Sequence, residues 1–255
     1  MKQKIILAFS GGSDSTFLLE IIYRFTSRIC HTVFFQTPFV SVRTLKSVCS
    51  FLENRGINYT ILPVDLLSDP GVVANQPDRC YHCKRHLFEE LFKHFDYPSE
   101  SLRFMEGTNF TEVLNEYRPG LTALEEQGVE SPLRLSGMLE EDIETLRKEH
   151  GIARGVDDIG CLATRIPYGT MITQEIIKRI DEAEDFLRQR GFHQIRARYM
   201  GDTVKIEVNP NELGRLAQPP LRGIYLDYLK NLGFSGVLLD LKGYQRGILS
   251  PREGG

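Results

Sequence analysis

A continuous apolar run near the start of the chain, followed after one serine by two glycines, is the feature that most restricts the possible folds. Residues 5–9 are apolar without a break, which is typical of a strand buried on both faces, and Gly11 and Gly12 follow. Apolar residues at helical spacing come next, over residues 16–24. Because short apolar runs and helical patterns alternate as far as residue 150, we expect an α/β fold with a doubly wound, mostly parallel sheet.

The predicted elements of this first region share that alternation. Strands are expected at 5–9, 32–35, 59–64 and 102–105, with a short one at 131–133, and helices at 16–24, 42–52, 87–95 and 138–150. Residues 65–79 are predicted to be a loop because they contain Pro70, Gly71 and Pro77. Cys80 and Cys83 are expected at the end of this loop, before the next helix.

The regular alternation of predicted strands and helices ends near residue 170. A helix is predicted from the capping residue Thr173 to Arg190, and two alternating segments around Gly201 and Asp202 predict a β-hairpin. Further helices are expected at 210–217 and 221–232, and a strand at 237–241. This α+β pattern predicts a second, smaller domain, so we expect domains of 1–167 and 168–255.

The composition excludes several classes of protein. The chain has 255 residues, 41% hydrophobic and 25% charged, so neither disorder nor a coiled coil is its main state. A net charge of −3 disfavours a dedicated nucleic-acid binder, and no apolar run is long enough to span a membrane. The first apolar run is too short for a signal peptide, and five cysteines argue against a disulfide framework. We expect a cytoplasmic protein that binds neither membrane nor nucleic acid.

A segment rich in glycine and serine lies between the first predicted strand and the first helix: Ser10, Gly11, Gly12, Ser13, Asp14 and Ser15. Amide N–H groups at a helix N-terminus point outward, glycines let the backbone approach an anion, and serines add hydroxyl donors. Asp14 would repel a phosphate unless a cation lay between them, so the segment indicates a phosphate site with Mg²⁺. A Gly-Gly turn with a serine or aspartate helix cap is the alternative.

This segment resembles the SGGxDS signature of the PP-loop ATP pyrophosphatases, and it lacks the Gly-Lys ending of a Walker A loop. The resemblance implies a PP-loop, HUP-like fold of the adenine nucleotide alpha hydrolase type. It also implies that AMP passes from ATP to an acceptor oxygen while pyrophosphate leaves. Gly107, Thr108 and Asn109 follow a predicted strand, so they belong either to the same nucleotide site at the sheet edge or to a simple turn.

Three cysteines have a spacing that suggests shared chemistry. Cys80 and Cys83 form a pair, and Cys161 follows much later. A zinc site would need a fourth ligand such as His82 or His86, and a redox pair would need only Cys80 and Cys83. An iron–sulfur cluster held by three thiolates would leave one iron open to a non-protein ligand. The number of ligands alone does not separate these possibilities.

The whole set of motifs resembles the LarE family of ATP-dependent sulfur transferases, over essentially the full chain. In chain order these motifs are SGGSDS, RCYHCK, GTN, Tyr117-Arg118-Pro119-Gly120, Ser131-Pro132-Leu133-Arg134 and CLATRIPYG. The resemblance implies that a carboxylate of a pyridinium dicarboxylate mononucleotide is adenylated and that sulfur then displaces AMP, in nickel-pincer nucleotide synthesis. With Cys80, Cys83 and Cys161 all present, it implies the [4Fe-4S] type, not the type in which the cysteine equivalent to Cys161 gives up its own sulfur.

The resemblance also implies partners and a substrate site. The partners are ATP, the carboxylated pyridinium mononucleotide, sulfide or another sulfur donor, and further copies of the chain. In the predicted hairpin, Arg196 and Arg198 match two arginines that bind substrate phosphate, and Glu184 and Glu207 match two metal-binding glutamates. From the residues alone, the charged side of the hairpin is equally consistent with a solvated face that carries a cross-strand pair between Arg196 and Glu207.

Some positions depart from the family pattern. Ser13 stands where valine is common, and residues 110–112 replace acidic residues after GTN. Two other functions therefore stay open: a tRNA-thiolating enzyme of the same superfamily, and a zinc-stabilised nucleotide-binding module without sulfur chemistry. Cys30 and Cys49 belong to no motif and are expected in the core.

Overall fold

In the computed structural model, which describes residues 4–26, 30–95, 101–114, 118–156 and 160–245, the chain folds as two compact units. The first comprises Met1–Val72 and Asp78–Ile159, and the second comprises Val73–Pro77 and Gly160–Gly255. Residue 168, where the sequence predicts the boundary, thus lies inside the second unit. Tyr117, part of one of the motifs, lies outside the described residues.

The strands and α-helices within these ranges are numbered in chain order. The strands are β1 (Lys4–Ala8), β2 (Cys30–Gln36), β3 (Tyr59–Pro63), β4 (Leu102–Glu106), β5 (Arg196–Met200), β6 (Thr203–Glu207) and β7 (Gly236–Leu239). The helices are α1 (Ser13–Phe25), α2 (Val42–Glu53), α3 (Pro70–Val73), α4 (Arg79–His94), α5 (Pro119–Glu126), α6 (Pro132–Leu135), α7 (Glu140–Glu149), α8 (Gln174–Arg188), α9 (Leu213–Ala217) and α10 (Leu221–Asn231). Among them, none is both long and apolar enough to cross a membrane.

The first unit is built on a parallel sheet of strand order β3-β2-β1-β4 with helices on both faces. Consecutive residues of a strand point to opposite faces. Phe34 of β2 joins the core cluster that α1, α2 and α7 complete, whereas Phe35 contacts Phe88 of α4. The predicted α/β, doubly wound fold is confirmed, and it is consistent with a PP-loop, HUP-like architecture. Since the strand order reverses between β1 and β4, their carboxyl ends border the crevice where such folds bind ligands.

The predicted loop over residues 65–79 is wrong in part, because this stretch holds a short 3-10 helix at Leu66–Ser68 and α3. Cys80 and Cys83 are not at the end of a loop but in the first turns of α4, which begins at Arg79. The apolar residues of α4 recur at helical spacing only from residue 87 onward, because the first turns of the helix make polar contacts. His82 lies 3.4 Å from Asp78, and Lys84 forms an ion pair with Glu106. A pattern of apolar residues does not reveal polar contacts of this kind, so the sequence predicts a loop over the first turns of α4.

The short strand predicted at residues 131–133 is also wrong. Pro132 begins helix α6, and proline suits a first helical position because it has no N–H to leave unpaired. Glu130 alone makes an isolated parallel bridge to Met105 of β4. The hydroxyl of Ser131 donates to the carboxylate of Glu106 at 2.5 Å instead of supporting a strand.

The second unit combines α8 with a three-stranded sheet. Thr173 caps α8 as predicted, its side chain accepting a hydrogen bond from the amide of Ile176. The predicted hairpin register is confirmed: Arg196 lies opposite Glu207, and β5 and β6 are antiparallel, while β7 joins β6 in parallel. The alternative of a solvated charged face is wrong, because Arg198 and Glu207 are 6% and 5% exposed.

Candidate functional site

Two segments predicted to bind nucleotide meet at the carboxyl ends of β1 and β4. The side-chain amide of Asn109 donates to Asp14 Oδ2 at 2.8 Å. Gly107 packs directly on the start of α1, where a Cβ would lie 2.7 Å from the Cα of Ser15. Any side chain at Gly107 would push the loop away. Residues 107–109 thus contact the loop over residues 10–15, as expected if both segments belong to one site.

The loop over residues 10–15 has donors suited to an anion. Gly11 adopts a φ of 84°, which favours glycine, and its carbonyl accepts from the amide of Val156 at 2.9 Å. The N-cap residue of α1 is Gly12, which has no side chain to cap the helix, and the hydroxyls of Ser10 and Ser15 lie 3.0 Å apart. Ser13 opens the helix. The N-terminus of α1 thus combines amide donors, hydroxyls and the positive end of a helix dipole.

Glu112 belongs to this site, although the sequence singled it out only as a departure from a pattern. Its amide donates to Asn109 Oδ1 at 3.2 Å. Burial raises the pKa of the Glu112 carboxyl, and the negative charges of Glu106 and Asp14 raise it further. The positive charges of Arg118 and Lys84 act in the opposite direction, but the pKa stays above its usual value. The spacing of Glu112 three residues after Asn109 is the signal that could have identified it.

Asp14 and Glu112 are the carboxylates of this site that could hold a divalent cation, since the charge of Asp14 acts on Glu112. Mg²⁺ is usually held by one or two carboxylates, with substrate phosphates and water as its other ligands. Among the described residues, no group of three or more His, Cys, Asp or Glu side chains is placed to hold a metal ion. A cation held by two carboxylates alone would need its other ligands from a nucleotide or water.

An ion pair between the half-buried Lys84 and the buried Glu106 links α4, the helix of Cys80 and Cys83, to residues 107–109. Lys84 Nζ lies 3.2 Å from Glu106 Oε2, and the same carboxylate accepts from the amide and hydroxyl of Thr108 at 3.0 and 2.6 Å. Burial alone would raise the pKa of Glu106, but Lys84 and the hydroxyl donors lower it. The carboxylate is ionised at neutral pH, so the pair fixes the start of α4 relative to residues 107–109.

Cys80 and Cys83 lie one helical turn apart on α4, Cys80 exposed and Cys83 half-buried. The carbonyl and Cβ of Cys80 approach Gly120 of α5, where a Cβ would lie 3.5 and 3.7 Å from them. Cys161, also exposed, belongs to the second unit.

The two histidines considered as zinc ligands have carboxylate partners. His86 Nδ1 lies 3.1 Å from Asp69 Oδ2. The ring of His82 covers Gly71, where a Cβ would lie 2.4 Å from the ring, and its Nε2 is 3.4 Å from Asp78. Both rings are thus directed toward residues 69–78, and this arrangement gives the zinc alternative no support.

The hairpin arginines differ in their surroundings. Arg198 makes a bidentate pair with Glu207, two bonds of 3.0 Å, and also donates to the carbonyl of Thr164. Arg196 is half-buried, and its guanidinium carbon lies 4.8 Å from the centre of the Tyr244 ring. Tyr244, near the end of the described chain, is a neighbour of this site that the sequence did not indicate.

Glu184 and Glu207, predicted to bind metal, do not fit a cation. Glu184 is fully buried, with Arg165 Nε at 2.9 Å and Arg188 Nη2 at 2.5 Å. Burial alone would raise the pKa of Glu184, but the arginines lower it to about 2. Glu207 is enclosed by Arg198 and by Lys205 at 3.0 Å. Carboxylates surrounded by cationic side chains have their oxygens occupied, and the positive charge repels a metal ion.

Asp181 on α8 gives a stability prediction. Burial and the charge of Glu184 raise the pKa of Asp181 from 3.8 to about 6. The folded chain therefore binds an extra proton between those values, and stability falls as the pH rises through that window. We expect Asp181→Asn to raise the free energy of unfolding at pH 7.5 by about 1 kcal/mol, after a discount for solvent screening, and to have no such effect near pH 4. Urea unfolding at both pH values measures this, with Glu182→Gln as control; an equal change at both pH values would contradict it.

Comparison with known proteins relates the full chain to proteins of similar length. An uncharacterized protein of Synechocystis sp. is 28% identical over 254 residues, which cover 97% of this chain and 92% of that protein. The pyridinium-3,5-bisthiocarboxylic acid mononucleotide synthase of Lactiplantibacillus plantarum is 30% identical over 254 residues, 97% of this chain and 89% of that protein. An uncharacterized protein of Methanocaldococcus jannaschii is 30% identical over 243 residues, 95% of this chain and 91% of that protein. No protein-family model matches the chain.

Proposed function

This chain belongs to the LarE family of pyridinium-3,5-bisthiocarboxylic acid mononucleotide synthases, and we propose that it transfers sulfur to a carboxylated pyridinium mononucleotide, using ATP and Mg²⁺, in nickel-pincer nucleotide synthesis. The bond between Asn109 and Asp14 carries the nucleotide part of this proposal. It joins two segments that are 95 residues apart in the chain at one sheet edge, where doubly wound folds bind ligands. The name of the relative from L. plantarum supports the sulfur chemistry.

In the proposed first step, a carboxylate oxygen of the substrate attacks the α phosphorus of ATP. A P–O bond forms to give an acyl adenylate, and the P–O bond to pyrophosphate breaks. The amides at the start of α1 and the hydroxyls of Ser10 and Ser15 would bind the departing pyrophosphate. Mg²⁺ held by Asp14 and Glu112 would neutralise charge on these phosphates.

In the proposed second step, sulfur attacks the acyl carbon. A C–S bond forms, the C–O bond to AMP breaks, and a thiocarboxylate and AMP are the products. Cys80, Cys83 and Cys161 would hold a [4Fe-4S] cluster, which supplies the sulfur as sulfide when it is bound. Arg196 and Arg198 would bind the substrate phosphate, Arg198 while it shares its guanidinium with Glu207.

Product and metal analysis together test this proposal. Protein purified without oxygen should contain about four iron and about four acid-labile sulfide per chain. With ATP, Mg²⁺ and the dicarboxylate mononucleotide, it should release AMP and pyrophosphate and form a thiocarboxylate. One zinc without sulfide would favour the nucleotide-binding module, and activity on tRNA but not on the mononucleotide would favour the thiolating enzyme; either result contradicts the proposal.

A further inference from the structure

We propose that Glu184 is a positioning residue that fixes the backbone of the Cys161 loop through Arg165, and that it is not a metal ligand. The inference rests on the proposed function only in treating Cys161 as a functional thiol. All residues that carry it lie in the second unit.

Glu184 is a buried carboxylate that bonds residues from three different elements. It is fully buried, and besides Arg165 and Arg188 its Oε1 accepts from the amide of Ala197 at 3.1 Å. The carboxylate thus joins α8, β5 and the 3-10 helix Leu162–Arg165 that follows Cys161. Since both oxygens already accept charge-assisted bonds, the carboxylate holds its neighbours in place and has no oxygen left for a metal ion.

Arg165 passes this constraint to Cys161. The guanidinium of Arg165 is 2% exposed; its Nε and Nη2 donate to Glu184, at 2.9 and 3.3 Å. Its Nη1 donates to the carbonyl of Cys161 at 3.0 Å. The amide and hydroxyl of Thr164 donate to the same carbonyl, at 3.0 and 2.7 Å. Three donors therefore hold the Cys161 carbonyl, and one of them is itself fixed by Glu184.

The glycine before Cys161 is enclosed by the same guanidinium group. A Cβ at Gly160 would lie 3.1 Å from Arg165 Nη1 and 3.3 Å from Arg196 Nη2. The backbone of residues 160 and 161 is thus fixed on one side by Arg165 and on another by Arg196. Cys161 itself is exposed, so its position depends on its backbone anchors and not on burial of its side chain.

The test follows the reactivity of Cys161 directly. Cluster-free protein is treated with iodoacetamide, and the rate of alkylation at Cys161 is measured by peptide mass spectrometry. We expect Glu184→Gln to raise this rate roughly three- to tenfold, because a released loop samples more accessible conformations. Glu182→Gln, on the same helix with a partly exposed side chain, should leave the rate unchanged.

A second variant keeps the test decisive if Glu184→Gln does not fold. Arg165→Lys keeps the positive charge but loses the fork that joins Glu184 to the Cys161 carbonyl, so it should raise the alkylation rate in the same way. Mn²⁺ titration followed by electron paramagnetic resonance should give equal affinities for the wild type and the Glu184 variant. Unchanged alkylation in folded variants, or loss of Mn²⁺ binding in Glu184→Gln, would overturn the inference. Neither measurement requires sulfur transfer, so failure of the proposed function would be recognised separately, by the absence of thiocarboxylate with wild-type protein.

Discussion

Asp14→Ala is expected to reduce the formation of AMP and pyrophosphate by roughly 100- to 1,000-fold, while the protein stays folded. The substitution removes the carboxylate that would anchor Mg²⁺ against the departing pyrophosphate, and electrostatic stabilisation of this kind is commonly the largest contribution to catalysis. It also removes the acceptor for the side-chain amide of Asn109, which joins the two nucleotide segments. Pyrophosphate release with ATP, Mg²⁺ and substrate measures the effect.

Glu20→Gln on the same helix is the matched control. Glu20 pairs with Arg24 and Arg55, away from the nucleotide segments, so its loss should leave pyrophosphate formation unchanged. Circular dichroism and the thermal midpoint should show that Asp14→Ala keeps its fold. Formation of ADP and orthophosphate by the wild type, or full activity in Asp14→Ala, would contradict the PP-loop chemistry.

The second large effect concerns the cysteines. If Cys80, Cys83 and Cys161 share one cluster, replacing any one of them by alanine should lower the iron and sulfide content, and all three variants should lose sulfur transfer together. Cys49→Ala is the control, because Cys49 is half-buried on α2 and belongs to no motif, so it should keep both cluster and activity. Iron and sulfide assays and thiocarboxylate formation are the measurements.

The sacrificial scheme predicts a different pattern. Cys80→Ala and Cys83→Ala would then each support one turnover, and the spent protein would be lighter by about 34 Da, since loss of H₂S turns Cys161 into dehydroalanine. We expect the cluster, because Cys80 and Cys83 have no task in the sacrificial scheme. A loss of this mass after turnover, in protein that is active without iron, would rule the cluster out.

Sequence periodicity predicts the parts of this fold that rest on apolar patterning. The alternating runs of the first 150 residues correctly indicate the parallel sheet, and the alternation around Gly201 correctly predicts the register of β5 and β6. Periodicity fails to predict an element where polar contacts determine its boundaries. Helix α4 begins two turns before its apolar stripe, where Lys84 pairs with Glu106 of β4 and His82 lies close to Asp78, the N-cap of the same helix.

The candidate site likewise has parts that the sequence predicts and parts that it does not. The loop over residues 10–15 and the tripeptide at 107–109 can be read from glycines and serines that follow strands. Glu112 could be found only by its spacing of three residues after Asn109. Arg165 lies within the CLATRIPYG motif, but its charge alone does not indicate which groups it contacts. Their roles come from contacts: Glu112 with Asn109, and Arg165 with both Glu184 and Cys161.

Asp14 and Asn109 are 95 positions apart in the chain, so the proposed nucleotide site is complete only after both segments have been synthesised. β1 is synthesised first, whereas its neighbour β4 comes after β2, β3 and the helices α1 to α4 in the described part of the chain. Pairings between distant segments are the slow events of folding. A chain interrupted before residue 109 would hold the loop but not its partner. If the proposed function holds, ATP would stabilise the completed first unit by mass action and would give no assistance to its earlier intermediates.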